Sequence, residues 1–235
     1  MTDEEAQSLY EFEGALADMA RDLLAQESVQ ATAERIVHYA VQLVDGCDHA
    51  GILLLHRRDR VETAAATSDV VRDLDRAQEE VGEGPCFDAA QHNIAIQRLA
   101  DLSTYEGKWP QFAPYARDHG MGSMLGLLLY TEEDELGALD LYSAQPNALT
   151  ERSERVGWLL ASHAAVMYAA ARRHDQLTNA MQSRKDIGEA LGLLMATHGI
   201  SEEQAFQLLT KVSQDRNVKL RQLAREINSG ELPIS

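Results

Sequence analysis

The chain has 235 residues, 45% of them hydrophobic and 25% charged, a composition typical of a folded protein rather than a disordered one, and its length suggests two domains. The formal net charge of -17 argues against a polyanionic partner, but it is uneven. Residues 1–171 hold 12 Lys and Arg against 30 Asp and Glu, a net -18, whereas residues 172–235 hold 9 against 8, a net +1.

The two cysteines, Cys47 and Cys86, are far apart and show no Cys-x-x-Cys spacing. No basic and then apolar leader is present, and the longest apolar runs fall well short of the ~20 residues that a membrane-spanning helix needs. We therefore expect a cytoplasmic protein with no membrane partner and no disulfide framework.

Residues 3–26 are predicted to form a helix, because their apolar side chains recur at alternating steps of three and four. These side chains belong to Leu9, Phe12, Leu16, Met19 and Leu23. A second helix is expected from Val29 to about Val44, with an apolar face that packs on a sheet. The stripe of the first helix also needs a partner, and a second copy of the chain would supply one.

Two pairs of short apolar runs predict strands. The first pair is 50–56 and 61–67, and the second is 124–131 and 136–142, with an acidic turn at 132–135 between its members. These four strands are expected to form the centre of an antiparallel sheet.

Three motifs lie around and between these strands: Gly82-Glu83-Gly84-Pro85-Cys86, Asp101-Leu102 followed by Trp109-Pro110, and Gly137 to Tyr142. The segment 15–171 resembles GAF domains, in particular those that accompany ANTAR modules. The resemblance implies an α+β sensor domain over residues 1–171, in which an antiparallel sheet is flanked by helices. A small-molecule ligand is then expected in this domain, and its identity and any cofactor stay unknown.

A long helix is predicted to begin after Thr150, a plausible N-cap. From Val156 to Met195, positions at alternating steps of four and three form one continuous stripe along the predicted helix. The stripe consists of Val156, Leu160, His163, Met167, Ala170, His174, Leu177, Met181, Arg184, Gly188, Leu191 and Met195. We expect this heptad-like stripe to form a dimer contact. The segment 150–185 is accordingly predicted to be a stiff connecting helix that overlaps both domains and transmits a signal.

The last sixty residues carry the most specific pattern. Ser183-Arg184-Lys185-Asp186-Ile187-Gly188 is followed by Gly192-Leu193-Leu194-Met195, then Ala205-Phe206, then the segment 213–221. This spacing resembles the ANTAR family, the three-helix modules of transcription antitermination regulators of the actinobacterial type. The resemblance implies that residues 172–230 bind paired stem-loops in nascent RNA.

The ends of the three helices can be predicted from local signals. Gly199 suits the left-handed position after the first helix, Ser201 and Gln204 form a capping box for the second, and Asn217 is predicted to cap the third. Phe206 is expected in the small core that the helices share. Leu191 stands where many ANTAR sequences have a lysine, and we expect it to be a core or dimer residue.

The predicted RNA surface combines cationic side chains with polar groups that can hydrogen-bond bases or sugars of an unpaired loop. Its members are Arg184, Lys185, Ser213, Gln214, Asn217, Lys219, Arg221 and Arg225. A solvated helix face is the plainer explanation of such cations, and the motif favours the RNA surface. Binding by a homodimer, through its N-terminal and connecting helices, would double the phosphate contacts.

Candidate ligand or sensor residues in the first domain are Cys86, Trp109 and Tyr115, although a buried thiol and rings that pack in the core are the favoured explanations. The eight histidines show no metal-binding spacing, so no metal is expected.

The leading hypothesis is a dimeric, non-enzymatic RNA-binding antitermination regulator under the control of a GAF sensor. The alternative is a metabolite- or redox-sensing dimeric interaction protein that binds no nucleic acid. A thiol reductase resembling the free methionine sulfoxide reductases, with Cys86 attacking and Cys47 resolving, and a DNA-reading helix-turn-helix protein are further alternatives.

Overall fold

A computed structural model describes residues 3–56, 60–85, 88, 94–130 and 135–231. The chain divides into two compact units, Met1–Arg172 and Arg173–Ser235. Within the described ranges, no helix is both long enough and apolar enough to cross a bilayer.

A five-stranded antiparallel sheet forms the centre of the first unit. Its strands are β1 (His49–His56), β2 (Arg60–Ala66), β3 (Ile96–Leu99), β4 (Ser123–Tyr130) and β5 (Glu135–Ser143), in the spatial order β2-β1-β5-β4-β3. The predicted pairs β1-β2 and β4-β5 are confirmed as antiparallel neighbours. The tips of both pairs, at 57–59 and 131–134, lie outside the described residues. The four-residue edge strand β3 was not predicted, because it is too short to show a period.

Helices cover both faces of this sheet, so the predicted α+β architecture is confirmed. They are α1 (Asp3–Leu24), α2 (Val29–Leu43), α3 (Asp69–Val81), α4 (Phe112–Asp118) and the first part of α5 (Glu151–His198). Ser28 begins α2 by accepting a hydrogen bond on Oγ from the backbone N–H of Ala31, at 3.1 Å. Helix α3 was not predicted.

Alternating side chains of the strands supply two separate cores. On one face, strand residues such as Ile52, Leu127 and Leu139 pack with α1, α2 and α5. On the other face, Leu53 and Tyr142 pack with α3, α4 and the segment that precedes α4. Because successive residues of a strand point to opposite faces, each strand contributes to both layers.

The motif that contains Glu83 and the motif that contains Trp109 are joined by a helix cap. The Glu83 carboxylate accepts hydrogen bonds from the backbone N–H of Gln111 at 2.9 Å and from the Gln111 side chain at 3.1 Å. The backbone N–H of Phe112, the first residue of α4, lies 3.4 Å from the same carboxylate. These hydrogen bonds hold the pKa of Glu83 below its usual value of 4.5. The two motifs therefore have a shared structural role at the start of α4.

Helix α5 begins as predicted. Thr150 Oγ1 accepts from the backbone N–H of Ser153 at 3.3 Å, and Ser153 Oγ accepts from that of Thr150 at 3.0 Å. The predicted continuous dimer stripe is wrong in part, because Leu160 is buried in the first unit and Leu191 in the second. Between them, Leu177 and Met181 are exposed. A strict heptad drifts around a straight α-helix, so one stripe cannot stay on one side over forty residues.

The C-terminal half of α1 also packs within its own unit, since Met19 and Leu23 are buried in the first core. That part of the predicted α1 stripe therefore needs no second chain. The side chain of Leu9 lies outside the described residues.

In the second unit, α6 (Glu202–Asp215) and α7 (Leu220–Ser229) pack against the end of α5. Their common core consists of Ala190, Leu191, Leu194, Ala205, Leu209, Leu223, Ala224 and Ile227. The left-handed Gly199, with φ 65°, and the capping box of Ser201 with Gln204 are both confirmed.

Two expectations for this unit are wrong. Phe206 is 47% exposed rather than buried, because it follows the core residue Ala205 and so points about 100° away from it around α6. Asn217 does not cap α7. The residue before that helix is Lys219, whose side chain makes no capping hydrogen bond, and Asn217 adopts φ 52° in the turn. Asparagine tolerates this left-handed conformation better than most residues do.

Candidate nucleic-acid interface

The turn between α6 and α7 is held by its own hydrogen bonds. Ser213 Oγ donates to the carbonyl oxygen of Val218 at 2.6 Å, and the backbone N–H of Val218 donates to the carbonyl of Ser213 at 3.1 Å. The N–H of Asn217 donates to the carbonyl of Gln214, also at 3.1 Å. This bonding fixes where the chain enters α7.

Two predicted RNA-binding cations, Lys219 and Arg221, lie at this entry. Both are exposed, and neither makes an ion pair or a side-chain hydrogen bond with any residue in the described part of the chain. The first backbone N–H groups of α7 receive no side-chain cap from Lys219 and point out of the helix end. Two exposed positive charges thus flank the positive end of a helix dipole, an arrangement that suits phosphate.

The polar residues of the turn differ in what they offer. Gln214 and Asn217 are exposed and lie close to Lys219 along the chain. Ser213 is partly buried and its hydroxyl proton is directed to Val218, so it serves the turn. The structure therefore gathers Gln214, Asn217, Lys219 and Arg221 in one region of the second unit.

Two other predicted cations are engaged within the protein. The Arg225 Nε donates to the carboxylate of Asp186 at 2.7 Å, and Lys185 lies 3.9 Å from Glu189 one turn along α5. Arg216, which was not predicted, pairs with Glu226 at 3.1 Å. The cations of this unit therefore divide into a paired set and an unpaired set.

Arg184 is exposed and is also without an ion pair among the residues described. It precedes Asp186 by two positions and so projects about 200° away from it around α5. Because Asp186 faces α7, Arg184 leaves α5 on another side, and a single chain does not bring it together with Arg221.

The first unit has a cavity of about 240 Å³ beside α3. It is lined by Leu53, Thr63, Arg72, Asp75, Arg76 and Glu79. Asp75 is 2% exposed, accepts a hydrogen bond from Thr63 Oγ1 at 2.7 Å, and has its pKa raised to about 6, chiefly by burial. The sequence holds a signal for this residue, because Asp75 shares the spacing of the apolar Val71 and Leu74.

A second carboxyl group, that of Asp140, is fully buried on the same side of the sheet. Its partners across β1 and β4 are Gly51 and Gly126, and a Cβ at Gly126 would lie 3.3 Å from Asp140 Oδ1. Glycine on both neighbouring strands leaves room for the carboxyl group. Polar burial in the first unit is thus concentrated on the side covered by α3.

The predicted sensor residues do not converge on this cavity. Trp109 is buried and stacks on Tyr105 with 5.4 Å between ring centroids, so it packs the second core. Tyr115 is 37% exposed and stacks on His119. Neither ring lines the cavity. Cys86 lies outside the described residues.

Cys47 is buried, and its Sγ donates to the carbonyl of His49 at 3.2 Å. Burial raises the pKa of this thiol to about 12, so almost none of it is thiolate at neutral pH. A resolving role for Cys47 would require a reactive thiolate, which this environment disfavours. Among the described side chains, no group of three or more His, Cys, Asp and Glu residues is placed to hold a metal ion.

Several solved structures share the fold. A GAF domain from an Acinetobacter phosphoenolpyruvate-protein phosphotransferase is 18% identical, with a TM-score of 0.51, covering 74% of this chain and 97% of that one. A domain of a putative two-component sensor histidine kinase from Sinorhizobium meliloti 1021 is 16% identical, with a TM-score of 0.52, covering 63% and 94%.

The photosensory core module of a Stigmatella aurantiaca phytochrome reaches a TM-score of 0.59 at 11% identity. It is matched over 87% of this chain and over 45% of its own length. At these identities the similarity concerns the fold alone. No curated protein matches the chain.

Two family models match successive parts of the chain, GAF domain over residues 26–168 and ANTAR domain over residues 175–227. GAF domains are sensor domains, and ANTAR domains are RNA-binding antiterminator domains. The first match covers more than half of the chain and contains the sheet and both of its helical layers. The second contains the three-helix core and the turn with the unpaired cations. The chain therefore belongs to the proteins that join a GAF domain to a following ANTAR domain.

Proposed function

We propose that this protein is a transcription antitermination regulator that binds paired stem-loops in leader transcripts, and that its GAF domain controls this binding. The observation that carries the proposal is the entry to α7, where exposed Lys219 and Arg221 flank an uncapped helix end. RNA loops offer both phosphates for these cations and unstacked bases for Gln214 and Asn217. The protein itself catalyses no reaction in this proposal.

The acidity of the first unit fits this division of work. With the net charge of -18 on residues 1–171, that part repels RNA, while the near-neutral remainder carries the unpaired cations. RNA is thereby directed to one end of the sequence. A small molecule that binds the GAF domain would act on the α3 side of the sheet, where Asp75 and Asp140 are buried.

A homodimer would place two such surfaces against two stem-loops. In each unit, α5 exposes two apolar side chains that the core of that unit does not cover, Leu159 and Val166 in the first and Leu177 and Met181 in the second. A second copy of α5 would bury them. Two linked surfaces raise affinity through effective concentration without any new kind of contact.

The test is an RNA-binding titration of the purified full chain with a paired stem-loop RNA and with a DNA duplex, at several salt concentrations. Reversing two charges, Lys219→Glu with Arg221→Glu, is expected to weaken RNA binding by about tenfold for each position. The slope of log affinity against log salt should fall by about 0.7 for each lost phosphate contact.

The matched control reverses two arginines of the GAF domain that do not line the cavity, Arg117→Glu with Arg152→Glu. This variant changes the net charge of the protein by the same amount and should keep most of the affinity. Equal losses in both variants would mean that only total charge matters. A dimeric wild-type protein that binds no stem-loop RNA would contradict the proposal and favour the interaction protein.

A further inference from the structure

Asp186 is a buried carboxylate of the ANTAR unit, at 6% exposure. Both of its oxygens are engaged: Oδ1 accepts from the Gln182 side chain at 2.7 Å, and Oδ2 accepts from Arg225 Nε at 2.7 Å. These partners hold the pKa of the carboxyl group below its usual value of 3.8, with the Arg225 hydrogen bond as the largest cause. Asp186 therefore stays ionised wherever the protein is folded at neutral pH.

The backbone of the same residue makes a second contact with α7. The Asn228 side chain donates through Nδ2 to the carbonyl oxygen of Asp186 at 2.8 Å. Arg225 and Asn228 are three positions apart and so lie on one flank of α7. Two polar contacts from different turns of α7 thus converge on a single residue of α5.

This convergence restrains α7 in a way that its apolar face does not. Leu223, Ala224 and Ile227 of α7 are buried and Leu220 packs beside them, but apolar burial is not directional and does not by itself fix the rotation of the helix. Hydrogen bonds lose strength steeply with distance and angle, so the contacts from Arg225 and Asn228 fix the rotation of the helix.

The orientation of α7 sets the direction of the RNA-binding side chains. Arg221 precedes Arg225 by one turn on the same flank, and Lys219 precedes the first residue of α7. A rotation of the helix would move both cations relative to the turn that holds Gln214 and Asn217.

We propose that Asp186 is a positioning residue for the RNA surface: through Arg225 and Asn228 it holds α7 so that Lys219 and Arg221 are presented in one orientation. The inference rests on the proposed function and revises the part of Arg225. Its guanidinium lies against a carboxylate that offsets its charge, so Arg225 orients the helix and does not bind phosphate.

Three variants of the full chain separate these roles: Asp186→Asn, Arg225→Gln and their combination. Removing the Asp186 charge makes the protein less acidic and frees Arg225, which by electrostatics alone would tighten RNA binding. A positioning role predicts the reverse, with each single variant about tenfold weaker and the double variant no weaker than either single one. The salt slope should stay at the wild-type value, because no phosphate contact is lost.

Asn228→Ala is the uncharged member of the series. It removes one hydrogen bond to a backbone carbonyl, and we expect weaker RNA binding with an unchanged salt slope. Lys211→Gln is the control, since it removes a positive charge from an exposed position of α6 outside both the predicted RNA surface and the contacts between α5 and α7, and its affinity should match wild type. Circular dichroism melts would confirm that each variant is folded.

Tighter binding by Asp186→Asn, or a salt slope lowered by about 0.7 in Arg225→Gln, would overturn the inference and make Arg225 a phosphate ligand. Hydrogen exchange without RNA separates this inference from the proposed function. The amides of α7 should exchange faster in Asp186→Asn and Asn228→Ala than in wild type or Lys211→Gln. Unchanged exchange in the two variants would overturn the inference even if the wild-type protein binds RNA. Faster exchange in the variants, together with a wild-type protein that binds no RNA, would contradict the proposed function alone.

Discussion

At the scale of single residues, Asp75 gives the GAF domain a dependence of stability on pH. Its pKa is raised from 3.8 to about 6, so between these values the folded state binds more protons than the unfolded state. Its contribution therefore becomes less favourable as pH rises from about 4 to 6. At pH 7 the ionised, buried carboxyl group costs about 3 kcal/mol relative to an unshifted one.

Asp75→Asn is expected to remove this component, because an amide carries no charge and can still accept from Thr63. Urea unfolding at pH 5 and pH 7.5 measures it. The variant should gain stability at pH 7.5, by up to about 2 kcal/mol, and gain about half as much at pH 5, where the unfolded carboxyl group is already ionised. Asp73→Asn, a nearby exposed position paired with Arg76, is the control. If the variant were less stable than wild type at pH 7.5, the interactions of the Asp75 carboxylate with its neighbours would outweigh the cost of its burial.

Gly137 is the second residue-scale case. Its φ is 145°, and a Cβ there would lie 1.9 Å from the carbonyl oxygen of Leu53 on the neighbouring strand. Gly137→Ala should therefore destabilise the GAF domain by at least about 3 kcal/mol or prevent folding. Gly107→Ala provides the comparison, because nothing lies within 4 Å of its Cβ position. Thermal melts of the two variants measure this difference, and similar melting temperatures would contradict the close approach of Gly137 to the carbonyl oxygen of Leu53.

At the scale of single elements, the capping box of α6 joins two residues across one turn. Ser201 Oγ accepts from the N–H of Gln204 at 3.3 Å, and the Gln204 side chain accepts from the N–H of Ser201 at 3.0 Å. Ser201→Ala leaves a helix N–H without its partner and should lower the stability of the ANTAR unit by about 1 kcal/mol. Ser229→Ala, at the last residue of α7, serves as the control for hydroxyl removal. Chemical unfolding followed by helical ellipticity would detect the loss, and its absence would mean that water replaces the cap.

The elements also show what sequence patterns can and cannot predict. Long periodic runs and local caps gave α2, the strand pairs and the start of α6 correctly, because the information lies within a few residues. Whether an apolar residue faces the core is harder to predict from sequence, since Phe206 is apolar yet 47% exposed. Asn217 looked like a cap but takes the left-handed turn, because the same short amide suits both positions.

Other features of the candidate site could not be predicted from sequence because they depend on contacts between residues far apart in the chain. Arg225 looked like any exposed cation until Asp186, 39 positions earlier, was found against it. Asp75 shares the spacing of Val71 and Leu74, but the burial of a carboxyl group at that position depends on the sheet beneath α3. The exposure of Lys219 and Arg221 could be predicted because it depends on their positions near the start of α7, and their role in RNA binding stays a prediction.

At the scale of the whole molecule, the exposed apolar side chains of α5 predict self-association. Leu177→Glu with Met181→Glu places like charges on that face, and we expect the dimer to dissociate while each domain stays folded. Analytical ultracentrifugation at several concentrations measures this change. Gln176→Glu with Ala180→Glu adds the same number of charges to the same helix at other positions. A monomeric wild-type protein, or a double variant that remains dimeric, would contradict the assembly.

The middle of α5 has one more consequence. From Arg173 to Gln182 every side chain is exposed, so neither core supports this stretch, and it owes its helicity to local bonds such as the one between Asn179 and Asp175. Isolated helices of that length fray on their own. A separated chain should therefore be nicked here first by trypsin, at Arg173, while pairing with another copy would shield the same peptide bond. The rate of that single cut would report, in a crude extract, how much of the protein is assembled.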